Sequence, residues 1–334
     1  MMNFQALGID ISKNKFDCAL IRDIGSGKIK TKALPNRLEG FNQLTEWLYK
    51  NIGEDLSLLK VFMEATGVYH QALAEHLHEK GIAVYLLNPA DSAHYAKYDS
   101  LHKTDKSDSQ SLARAGIDRI LNKKARQWQP APAHIKHLNA LLARLDALES
   151  DLQRENNRME KAEFGRAPKE VIQSISSMQA GLQQQISTLK QEIEQHIDQH
   201  PDLKKDRALL RSIPGVGEVI SLRMMALYHS KEFASASQMA AYLGLVPRKR
   251  DSGKHKGKAM LSKRGNSTIR AKLYLAAVVA KRWNPDINAH YRRLKARHKT
   301  EMQTIGAAMR RLVQICFGVL KNQCEYQAKI TIAA

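Results

Sequence analysis

Between residues 4 and 34 apolar and polar positions alternate in three short runs, FQALGIDI, KFDCALI and KIKTKAL, separated by turn residues at Ser12 to Asn14 and at Gly25-Ser26-Gly27. Alternation of period two, broken by such clusters, predicts a meander of three antiparallel strands. The period then becomes 3.6 at Leu38, Phe41, Leu44 and Leu48, the register of a helix with one apolar face. An apolar strand LLKVFM ending at Glu64, a helix carrying Leu73 and Leu77, and a strand IAVYLL closed by Asn88-Pro89 complete the run.

Three antiparallel strands followed by alternating helix and strand is the order of an α/β RNase H-like domain, although several α/β folds share pieces of it. The expected domain spans residues 1–130. Residues 131–202 change character: Leu138, Leu141, Leu145, Leu148, Leu152 and Met159 follow 3-4 spacing, interrupted by Glu155. Leu182, Ile186, Leu189 and Ile193 resume it after a break at Gly165 and Pro168. Two long helices joined by a hinge make a helical hairpin or a coiled-coil assembly arm, a packing device rather than a catalytic one.

From residue 203 to 334 the pattern predicts a mainly α domain, broken at Ile213-Pro214-Gly215-Val216-Gly217 and in the Gly/Lys-rich stretch 251–265. The first break has the form of a helix-hairpin-helix, in which Gly215 and Gly217 permit a tight turn and free backbone N–H groups for a phosphate. An ordinary helix–helix turn is the alternative.

Charge sharpens this picture. The net charge of the chain is +20, and residues 246–299 alone hold 17 Lys and Arg against 2 Asp and Glu. A block so dense creates a positive field that attracts polyanions, nucleic acid first among them. Cys18, Cys316 and Cys324 have neither zinc-knuckle nor disulfide-framework spacing and are expected as reduced thiols. No signal-peptide core stands at the start, and no run reaches the roughly 18 apolar residues of a membrane span. The expected setting is therefore the cytoplasm, beside the nucleoid.

Four acids stand out: Asp10 inside the first strand, Glu64 at the end of the fourth, and Asp105 and Asp108 at the start of a helix. In an RNase H-like sheet the fourth strand lies parallel beside the first, so Asp10 and Glu64 converge at one edge, and two acids three apart on a helix share a face that completes the cluster. Such hard oxygen donors favour Mg2+ or Mn2+, and two such ions can clamp the attacking and leaving oxygens of a phosphodiester. Taken singly, each acid has a plainer role, as a helix cap or first-turn acid for Asp105 and Asp108, a strand-end solvent residue for Glu64, and an isolated buried acid for Asp10.

These residues carry a resemblance. GIDISK around Asp10, MEATGVYH around Glu64, LNPADSAHYAK, and KTDKSDSQSLA around Asp105 and Asp108 resemble the D-E-D-D signature of Piv-type DNA invertases and their insertion-sequence transposases. LLRSIPGVG, FASASQMAAYLGLVPRKRDSGKHKGK and LSKRGNSTIRAKLY resemble the C-terminal transposase domain of the same family. The resemblance implies a RuvC-like catalytic domain, a coiled-coil linker, and a C-terminal domain whose serine, here Ser252, links covalently to DNA. It also implies a noncoding bridge RNA that pairs with target and donor DNA.

Ser252 is flanked by Arg250, Lys254, Lys256 and Lys258, which suit a scissile phosphate, although a hydroxyl needs a base or a metal before it attacks. A Ser-Gly turn touching phosphate through its backbone is the plainer alternative, and Ser262 and Ser267 are neighbouring competitors. Gly215, Gly217, Arg248, Lys249, Lys263, Arg264, Arg270 and Lys272 extend the expected nucleic-acid surface. Tyr274 and Trp283, set among further cations, either stack on bases or belong to the core of their helix. The reading is a DNA recombinase, a dimer or tetramer assembled through its arm. A metal-dependent junction-selective nuclease using water, and a binding scaffold with structural acids, are the alternatives.

Overall fold

The computed structural model describes residues 4–26, 28–65, 67–87, 105–248, 251–252, 255–256 and 260–329, with only the backbone of 105, 106, 251, 252, 255 and 256. Asn88-Pro89 and LNPADSAHYAK beyond its first residue, Leu87, lie outside them, as do Lys249, Arg250, Lys254 and Lys258. Contacts divide the chain into two units, Met1–Pro130 and Ala131–Ala334.

The first unit is built on a five-stranded sheet of order β3-β2-β1-β4-β5. Strands β1 (Gln5–Ile11), β2 (Lys15–Ile21) and β3 (Ile29–Pro35) are the antiparallel meander, and β4 (Leu59–Glu64) and β5 (Ala83–Leu87) add in parallel beyond β1. This is the RNase H-like order that the apolar pattern predicts. Alternation sends Leu7, Ile9, Val61 and Met63 to one face, where Phe41, Leu44 and Leu48 of α1 (Leu38–Ile52) and Leu73 and Leu77 of α2 (Gln71–Glu79) cover them. Burying each such side chain contributes roughly 1.5–3 kcal/mol. Leu38, expected on the buried face of α1, is 65% exposed because it starts the helix beyond the sheet. The opposite face carries Ala6, Phe62, Tyr85 and Leu87 and is closed by α3 (Asp105–Leu121) through Leu112, Ala113, Ala115 and Ile117. Trp128 N–H donates to the carbonyl of Val84 (2.7 Å), which blunts the open edge at β5.

In the second unit α4 (Ala133–Phe164) and α5 (Lys169–Asp198) pack side by side as a helical hairpin, with Gln179 Nε2 donating to Asn156 Oδ1 (2.9 Å) between them. The turn at Gly165–Pro168 sits where the pattern breaks. Ile135, Leu138, Leu142, Leu145 and Leu148 join Ile186, Ile193 and Ile197 in a core that continues without interruption into the remaining helices. Those helices are α6 (Pro201–Arg211), α7 (Glu218–Ser230), α8 (Ala236–Tyr242), α9 (Ser267–Trp283), α10 (Pro285–Ala296) and α11 (Glu301–Asn322). The stretch expected as a Gly/Lys loop instead contains two-residue ladders, β6 (Pro247–Arg248) with β9 (Met260–Leu261) and β7 (Asp251–Ser252) with β8 (His255–Lys256). Strands so short and so cationic leave no alternation to detect.

Candidate functional site

Within the first unit the parallel register pairs Ile9 with Met63, so Asp10 and Glu64 follow as the next neighbours on adjacent strands, roughly 4.8 Å apart in backbone. Both belong to the face of Ala6, Gly8 and Phe62, the one that α3 covers, and both are half-buried.

Two glycines set how closely α3 approaches. A Cβ on Gly8 would lie 2.0 Å from the Ser109 carbonyl oxygen and 2.5 Å from Ala113 N, and one on Gly116 would lie 2.1 Å from the Phe62 ring. The helix therefore rests directly on the strand backbone, where a side chain at either position would hold it off. Its direction follows from its far end: Ile117, Asp118 and Leu121 line a shallow recess with Ile21, the partner of Ala6 at the start of β1. The N-terminus of α3 thus points past Gly8 toward Asp10. Half-buried Asp108 immediately precedes buried Ser109, and Asp105 opens the helix one turn earlier.

Asp10, Glu64 and Asp108 thus stand on elements that meet across this face, and Asp105 is placed by its backbone alone. Among the described residues no group of three or more His, Cys, Asp or Glu is placed to hold a metal ion, and the side chain of Asp105 is outside that set. A further acid was missed. Asp17 pairs directly across from Asp10 in the β1–β2 register, so Asp17, Asp10 and Glu64 form a row over three neighbouring strands. Lys15 Nζ lies 3.1 Å from Asp17 Oδ2, which balances that charge. The signal was the hairpin register about Ser12–Asn14, which fixes what faces Asp10.

In the second unit the turn 213–217 joins α6 to α7. Gly215 takes φ +95°, and a Cβ there would meet Ala280 of α9 at 2.6 Å, so glycine is required both by conformation and by space. Gly217 caps α7 and its Cβ direction is open. Ser252 sits in β7, its backbone paired with that of His255 in the two-residue antiparallel ladder. The Ser262 hydroxyl donates to the Gly244 carbonyl (3.2 Å), a structural use, while Ser267 is exposed in the first turn of α9.

The expected cations fall into two groups. Arg248, Lys263 and Arg264 are exposed. Lys272 is held by Glu149 Oε2 (2.8 Å) and Asp146 Oδ1 (3.3 Å) of α4, and Arg270 Nη1 donates to the Gly265 carbonyl (2.7 Å), so both act as internal ties. Asp146 also pairs with Arg223, whose side chain is 4% exposed. Tyr274 is half-buried against the core, whereas Trp283, equally a core candidate by pattern, is 72% exposed.

Comparison with known proteins bears on both units. A family model for DEDD transposases of IS110 type matches residues 7–162, and one described as transposase of the IS116/IS110/IS902 family matches residues 207–292. The pilin gene-inverting protein of Moraxella bovis is 29% identical over 330 residues, covering 97% of this chain and 98% of that protein. The transposase for insertion sequence element IS1111A of Coxiella burnetii is 26% identical over 302 residues, covering 82% and 77%. Among solved structures, RuvC of Thermus thermophilus covers 37% of this chain and 100% of its own at 12% identity and a TM-score of 0.29, too low to carry an argument.

Proposed function

The chain belongs to the IS110 family of DEDD transposases, enzymes that cut and rejoin DNA, and from that premise we propose that Asp10, Glu64, Asp105 and Asp108 hold Mg2+ or Mn2+ for DNA strand cleavage with Ser252 as nucleophile. The observation that supports this reading is the seating of α3 directly on Gly8, which brings the helix that carries Asp105 and Asp108 against the strand that carries Asp10. The donor set is all carboxylate oxygen, which suits a hard divalent ion. When bound, such an ion neutralises the phosphodiester and stabilises charge developing on its oxygens.

The residues of the chain do the rest. Asp10 and Glu64 are fixed by strand register, and Asp105 and Asp108 by the helix. In the second unit Ser252 Oγ gives up its proton to a base and forms a bond to phosphorus as the bond to the departing sugar oxygen breaks, and that oxygen takes up a proton. Arg248, Lys249, Arg250, Lys254, Lys256, Lys258, Lys263 and Arg264 hold backbone phosphates, and the Gly215–Gly217 turn, a helix-hairpin-helix in form, offers N–H groups to another. Rejoining four ends requires more than one copy, so the α4–α5 hairpin is the proposed assembly element of a dimer or tetramer. A noncoding bridge RNA is the proposed guide, on the strength of family membership.

Asp10→Asn, Glu64→Gln and Asp108→Asn test the cluster. Each should abolish cleavage of DNA carrying the element's ends while leaving DNA affinity within about twofold, since none of them contributes positive charge to phosphate binding. Retained cleavage in any of the three removes that residue from the site.

A further inference from the structure

Helix α9 buries Leu273, Ala276, Ala277 and Ala280 against the core of the second unit. Its outer face is apolar too. Leu275, Val279 and Trp283 are 66%, 48% and 72% exposed. Spaced four apart, they align in one stripe about 12 Å long, which exposed Ala271 continues by one turn toward the N-terminus of the helix. An isolated exposed leucine needs no explanation, but an aligned Leu-Val-Trp stripe marks a binding surface.

Charge decides what kind of partner fits it. The stripe lies inside the segment 246–299, with 17 cations against 2 acids, and exposed Lys263, Arg264 and Arg282 adjoin its two ends. Pairing this face with the same face of a second copy would oppose two strongly positive surfaces across an interface. A polyanion that also offers flat apolar groups satisfies both features. Bases provide those groups only where they are unpaired, a state through which any DNA passes when its strands are cut and exchanged. An indole stacks on the face of a base, and aliphatic side chains find the C5-methyl of thymine, which uracil lacks.

We propose that the Leu275–Val279–Trp283 face of α9 docks an unpaired, thymine-bearing DNA strand, with Trp283 stacked on one base and Leu275 and Val279 against its neighbours. The proposal rests on the reading of this chain as a DNA recombinase. Trp283 is then a positioning residue for a DNA strand, distinct from the cations that hold phosphate.

The chain has three tryptophans, and the other two, Trp47 and Trp128, are half-buried in the first unit. In the full chain carrying Trp47→Phe and Trp128→Phe, emission of Trp283 should be quenched on titration with a thymidine 20-mer, and less with a deoxyuridine 20-mer. In the otherwise native chain, read by anisotropy of labelled strand so that the first unit stays intact, Trp283→Ala should weaken thymidine 20-mer binding about 5- to 100-fold. The slope of affinity against salt should stay unchanged, because no phosphate contact is lost, and Trp283→Phe should recover most of the affinity. Three results would overturn the proposal: unaltered affinity in Trp283→Ala, an equal loss on fully paired duplex, or stronger dependence on Trp283 for a uridine RNA 20-mer than for thymidine. A change in sedimentation with no change in binding would assign the stripe to self-association and overturn it equally. Failure of the native chain to bind any nucleic acid would instead sink the recombinase reading on which the proposal stands.

Discussion

Gly8 on β1 and Ser109 on α3 are in backbone contact: a single methyl group on Gly8 would stand 2.0 Å from the Ser109 carbonyl oxygen. That contact fixes the height of α3 above the sheet, and with it the distance from Asp108 to Asp10. Gly8→Ala should therefore push the helix away from the strands. Overpacking of this kind costs about 1–3 kcal/mol, measured as a shift in urea midpoint, and DNA cleavage should fall far more than stability. Native cleavage in Gly8→Ala would mean that the acids tolerate a displaced helix.

The cations of the second unit should separate into two classes under salt. Lys263→Ala and Arg264→Ala should each flatten the dependence of log affinity on log salt by about one, since both side chains are exposed and free to meet phosphate. Lys272→Ala should leave the slope unchanged and lower stability instead, because its ammonium is already engaged by Glu149 and Asp146. Binding isotherms at several salt concentrations, with urea unfolding alongside, separate the two.

Much of the first unit was legible in the chain itself, because its strands alternate cleanly and its acids fall at strand and helix ends. Asp17 escaped because its partnership with Asp10 is a property of hairpin register, not of spacing along one element. Trp283 was ambiguous for a different reason. Helix α9 is apolar on both faces, so a 3.6 period cannot tell which stripe is inside. The internal role of Lys272 depends on acids more than a hundred residues away on α4, beyond the reach of any local pattern.

Acid should destabilise the second unit in two stages. Burial, aided by the neighbouring His200, His137 and His134, pulls the His196 imidazole below its ordinary value near 6.5, and burial with Arg293 and Arg311 does the same to His290. The unfolded chain then binds more protons than the folded one below about pH 6.5, so stability is full above that pH and falls as pH drops through the depressed values. Glu301 accepts hydrogen bonds from Lys281 Nζ (2.8 Å) and the Tyr291 hydroxyl (2.6 Å), which hold its carboxyl down at about 2. Its contribution is present above its ordinary 4.5 and is lost as pH falls toward 2. Urea midpoints should fall between pH 7.5 and 5.5 and again below pH 4.5, and Glu301→Gln should remove the second fall. A flat profile from pH 7.5 to 5.5 would contradict the histidine assignment.

Trapping and mapping of a covalent protein–DNA adduct tests the central claim most directly. The native chain is incubated with end-bearing DNA in Mg2+ or Mn2+, quenched, digested and analysed by mass spectrometry. The adduct should form only with the divalent ion, should be absent in Asp10→Asn and Ser252→Ala, and should map to Ser252 of β7. Metal-dependent nicks with no adduct would mean that water is the nucleophile, and an adduct that persists in Ser252→Ala or maps to Ser262 or Ser267 would contradict the assignment of Ser252.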